Sequence, residues 1–283
     1  MIKIIECPRD AMQGLKEFIP TESKIAYINQ LLKVGFDTID FGSFVSPKAI
    51  PQLRDTAEVL ANLDLSATKS KLLAIVANQR GAEEAAQFRE IDYLGYPFSI
   101  SETFQLRNTN ATILESLDRV KEIQEICLFK NKKLVIYISM GFGNPYGDPW
   151  NVEIVQRWVD EMVSLDIEIL SLSDTIGVSN PSNISYLFSS LIPKYPSIEI
   201  GAHLHTEPSN WREKVHAAAT NGCTRFDAAM RGYGGCPMAK DDLTGNMATE
   251  NLVSYFFDGK ENLNLDYQHF IQGMSMALEI FPH

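Results

Sequence analysis

Short apolar runs rich in β-branched residues alternate with longer segments of helical periodicity along nearly the whole chain. Eight runs are predicted as strands, at residues 2–6, 38–41, 72–76, within 91–100, 134–139, 167–172, 198–205 and 225–229. The helical segments cover residues 21–34, 51–60, 81–88, 111–128, 151–164, 181–191, 209–220, 248–257 and 267–278. Strands that alternate with helices favour a parallel sheet, and eight such units in 283 residues are typical of a closed (β/α)8 TIM barrel.

No low-complexity linker and no change in composition divides the chain. We therefore expect a single α/β domain over residues 1–283, a TIM barrel with an additional C-terminal helix. In such barrels the functional side chains lie at the carboxyl ends of the strands and in the loops that follow. These positions hold Arg9, Asp10, Asp40, Ser43, Asn78, Ser139, Asp174, His203 and His205.

Composition and charge narrow the function classes. The chain carries 25 Lys and Arg against 36 Asp and Glu, a formal charge of −11, which argues against binding to nucleic acid or to anionic lipid. The N-terminus lacks the architecture of a signal peptide, and the apolar windows fall short of the roughly 18 residues that a membrane span needs. Four scattered cysteines do not suggest a disulfide framework. The sequence predicts a cytoplasmic protein without nucleic-acid or membrane partners.

The most specific chemical feature is the pair His203 and His205 at the end of the seventh predicted strand. Residues two apart in a strand share a face, so both imidazoles are expected to point into the barrel mouth. Asp10 can add a carboxylate and Asn246 a carbonyl oxygen. Mixed nitrogen and oxygen donors without thiolate favour Mg²⁺ or Mn²⁺, with zinc still possible. A hydrogen-bonded pair of polar histidines explains the same two residues equally well.

Three further residues admit both a functional and a plain structural interpretation. Arg9 is placed to donate to an oxyanion near a metal, although an Arg–Asp ion pair is a common structural feature. Asp174 can orient a metal-bound water or a histidine, or it can cap a turn. Cys236 lies in the glycine-rich segment 231–238, where a thiol can act as acid or base after loop closure, or simply fill space.

Several collinear segments make the sequence similar to the 3-hydroxy-3-methylglutaryl-CoA lyases, a family of metal-dependent barrel enzymes. The match spans most of the chain, from residue 2 to about residue 252. Its most specific segment is Ser43-Phe44-Val45-Ser46-Pro47-Lys48 followed by Pro51-Gln52. The remaining segments are Pro8-Arg9-Asp10 with Gln13, Ser171-Leu172 with residues 174–178, residues 234–237, and Gly245-Asn246 with residues 248–250.

The resemblance implies a set of site residues. The metal ligands, for Mg²⁺ or Mn²⁺, would be Asp10, His203, His205 and Asn246. The catalytic residues would be Arg9, Asp40, Asp174, His203 and Cys236. Within this set, Arg9 is implied as the donor to the thioester oxygen and Cys236 as the loop thiol that serves proton transfer. The substrate pocket would be lined by Arg9, Gln13, Ser43, Asn78 and Tyr137.

The activity implied by the resemblance is a retro-Claisen cleavage of 3-hydroxy-3-methylglutaryl-CoA to acetyl-CoA and acetoacetate. This reaction belongs to leucine degradation and ketone-body metabolism. In it the metal acidifies the tertiary hydroxyl of the substrate, and Arg9 stabilises the enolate that the bond cleavage leaves. The resemblance also implies an acyl-CoA ligand and a homo-oligomer, expected to be a dimer.

The sequence departs from the family pattern at a few positions. Asp40 stands where the family carries glutamate, Ala11 where it carries glycine, and Thr206 where an acidic residue usually follows the second metal histidine. The stretch from Cys236 to Asn246 is one residue longer and more acidic. A shorter carboxylate can weaken a positioned contact. Two alternatives therefore stay open: a related metal-dependent aldolase or acyl-CoA condensing enzyme, and a barrel that binds metal and acyl-CoA without turnover.

Overall fold

Eight parallel strands close into a barrel in chain order, β1 to β8, with β1 paired to β8. The computed structural model describes residues 1–235 and 245–281. The strands are β1 (Lys3–Glu6), β2 (Thr38–Ser43), β3 (Lys71–Ile75), β4 (Tyr93–Ser99), β5 (Lys133–Ser139), β6 (Ile169–Ser173), β7 (Glu199–His203) and β8 (Arg225–Ala228). The predicted (β/α)8 architecture is confirmed.

Helices follow every strand and cover the outside of the barrel. They are α1 (Pro8–Gln13), α2 (Thr21–Leu32), α3 (Thr56–Ala61), α4 (Gln79–Ala85), α5 (Glu102–Thr109), α6 (Ile113–Phe129), α7 (Val152–Ser164), α8 (Pro181–Lys194), α9 (Trp211–Thr220), α10 (Thr249–Asp258) and α11 (Tyr267–Ile280). The last of these is the predicted additional C-terminal helix. Within the described ranges, no helix is both long and apolar enough to cross a membrane.

Three local predictions are wrong. The helix expected over residues 51–60 is split into a 3₁₀ turn, Pro51–Leu53, and α3. Helices α1 and α5 lie where loops were expected, because Pro8 supplies a preset backbone angle at the first turn of α1 and Ser101 caps α5 through its side chain. The strand expected through residue 205 ends at His203, and His205 forms an isolated antiparallel bridge with Asn246.

The main hydrophobic core lies between the strands and the surrounding helices, as the alternation of strand residues requires. A smaller apolar cluster, made of residues such as Leu73, Val135 and Ile169, fills part of the space inside the barrel. The β8 side of that space is charged instead. There Arg225 and Asp227 are buried, while Phe226 between them packs outward against Phe256 of α10. The interior of the barrel thus has an apolar part and a charged part, and the charged part lies along β8.

Candidate metal centre and active site

A carboxylate and two imidazoles converge where β1 and β7 end. Asp10, His203 and His205 each offer one candidate ligand atom, and these atoms all lie within 4.8 Å of one another. Asp10 comes from the first turn of α1, and His203 is the last residue of β7. His205 follows two residues later, and the imidazole centroids of the two histidines are 5.5 Å apart. The predicted convergence of these three residues is therefore present.

Several side chains hold the carboxylate of Asp10. Arg9 donates to its Oδ1 at 2.8 Å and Gln13 at 2.6 Å, while Asn246 donates to its Oδ2 at 2.8 Å. Burial alone would raise the pKa of Asp10, but Arg9, the two imidazoles and the Asn246 hydrogen bond outweigh it and lower that pKa. Asp10 is therefore ionised at neutral pH and buried, which is the state that a cation site requires.

The two imidazoles differ in their surroundings. His205 is 3 % exposed, and its Nδ1 has no hydrogen-bond partner among the described residues. Burial and the neighbouring His203 lower the pKa of His205 to about 4, so this ring is neutral at neutral pH. His203 has Nε2 at 3.9 Å from Asp10 Oδ2 and Nδ1 at 3.3 Å from Asp227 Oδ2. A neutral imidazole has a lone pair available for a metal.

Asn246 reaches the cluster because the segment after β8 lies directly against α1. A side chain at Gly234 would come within 2.7 Å of the Asp10 carbonyl oxygen and 2.9 Å of Asn246 Nδ2, so only glycine permits this approach, and its φ of +90° also favours glycine. Asn246 Nδ2 donates to Asp10 and, at 2.9 Å, to the Tyr233 carbonyl. With both amide hydrogens engaged, the amide oxygen is the atom left for a ligand.

Arg9 is fixed between two carboxylates. Its Nη2 donates to Asp40 Oδ2 at 2.5 Å and its Nε to the same oxygen at 3.0 Å, while Nη1 donates to Asp10. Burial raises the pKa of Asp40 to about 6 despite the opposing effect of Arg9. Although the aspartate at position 40 is one methylene shorter than the glutamate of the family pattern, it makes a forked contact with Arg9. One hydrogen remains on each terminal nitrogen of the guanidinium for another acceptor.

A cavity of about 720 Å³ opens over the cluster. Arg9, Gln13 and Tyr137 line it, and the hydroxyl of Tyr137 is buried without a hydrogen-bond partner among the described residues. The cavity therefore has a polar floor formed by the cluster. Its side walls are apolar and include Val45, Ile50, Ile75 and Phe104. Three cationic side chains, Lys16, Arg54 and Arg107, lie among the lining residues.

Two predicted pocket residues do not line this cavity. Asn78 is exposed, and its side chain accepts a hydrogen bond from the Gly81 amide at the start of α4, at 3.0 Å. Ser43 is buried at the end of β2, where its hydroxyl accepts from the Val45 amide at 3.2 Å. Both side chains are hydrogen-bonded to nearby backbone amides, and Ser43 lies two residues before Val45, which does line the cavity.

Asp174 lies in a separate buried network. Its Oδ2 accepts from Lys214 Nζ at 2.9 Å, and both of its oxygens accept from Ser179. Lys214 also donates to the His205 carbonyl at 3.0 Å. Asp174 thus reaches the cluster only through the backbone of His205, and it does not line the cavity. Cys236, the predicted loop thiol, lies outside the described residues.

Asp227 is a site residue that the sequence reasoning missed. Its Oδ2 accepts from Ser171 Oγ at 2.9 Å, in addition to the contact with His203. A signal was available, since Arg225 and Asp227 are charged residues two apart in an otherwise apolar strand. That spacing places both on the interior face of the barrel.

The fold and the cluster together define a class. A (β/α)8 barrel with ionised carboxylate, imidazole and amide groups converging at the carboxyl ends of its strands is the arrangement of a metal-dependent barrel enzyme. Comparison with known proteins narrows this class. The family model described as HMGL-like matches residues 2–276.

The hydroxymethylglutaryl-CoA lyase of Bacillus subtilis is 35% identical over 261 residues, which cover 92% of this chain and 86% of that protein. A 3-hydroxy-3-isohexenylglutaryl-CoA/hydroxymethylglutaryl-CoA lyase of Pseudomonas aeruginosa is 32% identical over 266 residues, 92% of this chain and 86% of that protein. The structure of an HMG-CoA lyase from Acinetobacter baumannii, in complex with coenzyme A and 3-methylmalate, superposes with a TM-score of 0.92 at 31% identity, covering 100% of this chain and 92% of that one. The chain belongs to the HMG-CoA lyase family of carbon–carbon lyases.

Proposed function

We propose that this protein cleaves 3-hydroxy-3-methylglutaryl-CoA to acetyl-CoA and acetoacetate with a divalent cation, Mg²⁺ or Mn²⁺. The observation that carries the proposal is the convergence of Asp10, His203 and His205 within 4.8 Å at the floor of the cavity. Asn246, hydrogen-bonded to Asp10, completes the proposed ligand set. Oxygen and neutral nitrogen donors without thiolate suit these two ions.

The described side chains fit a cation at this position. His205 is buried, its Nδ1 has no partner in the part of the chain that the structure describes, and its lowered pKa keeps the ring neutral. Asp10 is ionised and buried, and its pKa is lowered by the groups around it. A buried imidazole without a partner is costly in an apolar interior, and a metal ligand role removes that cost.

The chemistry that a bound cation supplies here is polarisation of the substrate's tertiary hydroxyl and carboxylate. Arg9 is held in place before the substrate arrives, because Asp40 and Asp10 fix three of its hydrogen-bond donors. Its remaining donors can meet the negative charge that develops on the thioester oxygen as the carbon–carbon bond breaks. Cys236 is proposed to donate a proton to the enolate carbon, which yields acetyl-CoA, and its thiol is restored by the proton that the tertiary hydroxyl loses to solvent, so that no net proton is gained or lost.

The shape of the cavity supports an acyl-CoA as the substrate. Apolar walls suit a pantetheine arm, and the cationic Lys16, Arg54 and Arg107 at the cavity suit phosphate groups. This local positive charge contrasts with the net charge of −11 of the whole chain. The Acinetobacter baumannii relative is described with coenzyme A bound, in line with such a ligand.

A cleavage assay tests the proposal. Purified protein with Mg²⁺ or Mn²⁺ is expected to release acetoacetate from 3-hydroxy-3-methylglutaryl-CoA, and a chelator is expected to abolish release. A parallel reaction with a 2-oxo acid and acetyl-CoA tests the condensing alternative and should yield no product. A folded sample that releases no acetoacetate with either ion would refute the proposed function.

The change at position 40 was one reason to consider a barrel that binds its ligands without turnover. The forked Arg9–Asp40 contact favours the active enzyme instead.

We further propose a single barrel domain over residues 1–283, a homodimer and a cytoplasmic location. Sedimentation velocity checks the dimer, since the monomer mass is 31.8 kDa.

A further inference from the structure

We propose that Asp227 is a positioning residue that fixes the ring orientation and tautomer of His203. This inference rests on the proposed metal centre and adds to it a residue inside the barrel. His203 has Nδ1 at 3.3 Å from Asp227 Oδ2, while its Nε2 faces Asp10 at 3.9 Å. The two ring nitrogens thus face different carboxylates, one in the barrel interior and one in the metal cluster.

The hydrogen bond to Asp227 decides which nitrogen of His203 carries the proton. A carboxylate accepts hydrogen bonds, so the Nδ1 of His203 is the donor, and in the neutral ring its Nε2 retains the lone pair. That lone pair is directed at the side of Asp10 where the proposed cation would lie. Without Asp227, the ring could carry its proton on either nitrogen and could rotate, since its neighbouring rings, Tyr137 and His205, only pack against it and Asp10 lies beyond hydrogen-bond distance at 3.9 Å.

Asp227 is itself held rigidly. Its side chain is fully buried, and Ser171 Oγ donates to the same Oδ2 at 2.9 Å. Its other oxygen, Oδ1, has no hydrogen-bond partner among the residues the structure describes, and the nearest cation is Arg225, with Nε at 4.0 Å. Ser171 therefore holds the carboxylate in place, and its one hydrogen-bonded oxygen serves both Ser171 and His203.

Arg225 is anchored at the opposite end of the barrel interior. Its Nη1 donates to Glu199 Oε1 at 3.0 Å, and Glu199 also accepts from Lys3. Gly201 provides the space, because a side chain there would come within 2.9 Å of the aliphatic part of Arg225. The charged groups inside the barrel therefore form one column from Glu199 through Arg225 and Asp227 to His203. Packing of the core does not by itself require buried charged residues at these positions.

The test compares Asp227→Asn with the wild type in two measurements that do not depend on turnover. The first is the dissociation constant for Mn²⁺, measured by electron paramagnetic resonance on the metal-free protein. Loss of a partner behind a metal ligand typically costs about 10–100-fold in affinity, and we expect a loss in that range. The second measurement is the ¹⁵N chemical shifts of the His203 ring. They are expected to indicate the Nδ1–H tautomer in the wild type and a mixture of the two tautomers in Asp227→Asn.

Asp55→Asn is the matched control. Asp55 is also a buried carboxylate with a cationic partner, Lys24 at 2.8 Å, but it contacts none of the cluster. It is expected to keep the Mn²⁺ dissociation constant within about twofold of the wild type, because it makes no contact with any ligand. Ser171→Ala is a second test variant with a small volume change, and it should weaken Mn²⁺ binding in the same direction by a smaller factor.

The outcomes separate this inference from the proposed function. A wild type that binds Mn²⁺ but releases no acetoacetate would refute the function, and the Asp227→Asn measurements would still decide the role of Asp227. Unchanged Mn²⁺ affinity and unchanged ring shifts in both Asp227→Asn and Ser171→Ala would overturn the positioning role. If Asp227→Asn does not fold, Ser171→Ala decides in its place, and wild-type values for that variant overturn the inference.

Discussion

Asp10 and Asp174 are two buried carboxylates that follow barrel strands, and each contacts a cationic side chain at 2.8–2.9 Å. Their surroundings differ. Asp10 lies on the cavity with two imidazoles beside it, and its donors hold it in place without enclosing it. Both oxygens of Asp174 are taken up by Ser179 and Lys214, away from the cavity.

The comparison shows that burial and charge do not by themselves identify a functional carboxylate. Asp174 satisfies both criteria, yet its lone pairs are used within the fold, where they tie the loop after β6 to α9. Asp10 keeps an oxygen facing other potential ligands. Each carboxylate accepts three hydrogen bonds, so the distinguishing property is its position: Asp10 lines the cavity beside two imidazoles, whereas Asp174 does not.

The largest effect is expected at the open cluster. His205→Ala removes a proposed ligand, so Mn²⁺ affinity and acetoacetate release should both fall by more than the roughly 100-fold upper range seen for outer partners of a metal site. Titration with Mn²⁺ and a cleavage assay on the same sample measure both effects. The unfolding free energy should change little, because the Nδ1 of His205 is buried without a hydrogen-bond partner in residues 1–235 and 245–281. Retained Mn²⁺ affinity would mean that His205 is not a ligand.

Asp174→Ala should show the opposite pattern. It leaves the buried Lys214 ammonium without its carboxylate, and breaking a buried pair in this way costs about 3–5 kcal/mol of stability. Urea unfolding measures this loss, with the surface pair variant Lys121→Ala as a control that should cost less than about 1 kcal/mol. Folded Asp174→Ala protein should keep its Mn²⁺ affinity within about tenfold. A loss of Mn²⁺ affinity as large as that of His205→Ala would indicate that Asp174 takes part in the metal centre.

Glu6 sharpens the comparison, because it is a buried carboxylate with no cationic partner among the described residues. It accepts hydrogen bonds from Thr249 Oγ1 at 2.6 Å and from the Met230 amide at 2.9 Å. Burial, with a smaller contribution from the nearby Glu250, raises its pKa from the ordinary value of 4.5 to about 8 despite the two hydrogen bonds. Between these two pH values the folded state holds more protons than the unfolded state, so stability falls as the pH rises through this window.

Glu6→Gln should remove that dependence, since the side chain does not ionise: its amide oxygen can accept from the Met230 amide, and its amide nitrogen can donate to Thr249 Oγ1. The stability of the variant relative to wild type is expected to grow by at most about 1.4 kcal/mol per pH unit between pH 5 and pH 8. Urea unfolding at several pH values measures the trend, and parallel pH profiles of the two proteins would contradict it.

The smallest effect is expected at Asn78. Its side chain caps α4, and removing such a cap typically costs about 1 kcal/mol. Asn78→Ala should therefore lower the thermal midpoint slightly while leaving the KM for 3-hydroxy-3-methylglutaryl-CoA unchanged. An increased KM at unchanged stability would support the pocket role that the sequence resemblance implied.

Periodicity was sufficient to predict the barrel, because the eight strands and the longer helices carry their own patterns of buried positions, whereas the short helices α1 and α5 do not. The convergence of Asp10 with His203 and His205 also followed from strand ends meeting at one face. The engagement of Asp174 with Lys214 could not be predicted, since the partner lies 40 residues away on α9. Asp227 was missed for a related reason: its role depends on which barrel neighbour its side chain meets, and periodicity within one strand does not contain that information.

The hydrogen bond between Asn246 and Asp10 joins residues 236 positions apart in the chain. It spans the seam where the last strand meets the first. The proposed metal site is therefore complete only when the chain includes residue 246 and β8 has paired with β1. A chain that ends before residue 246 would contain His203 and His205 but not the carboxamide of Asn246. With Asp10 and Asn246 as the proposed ligands, Mn²⁺ affinity would report closure of the barrel, and a bound cation would stabilise the contact between α1 and the segment after β8.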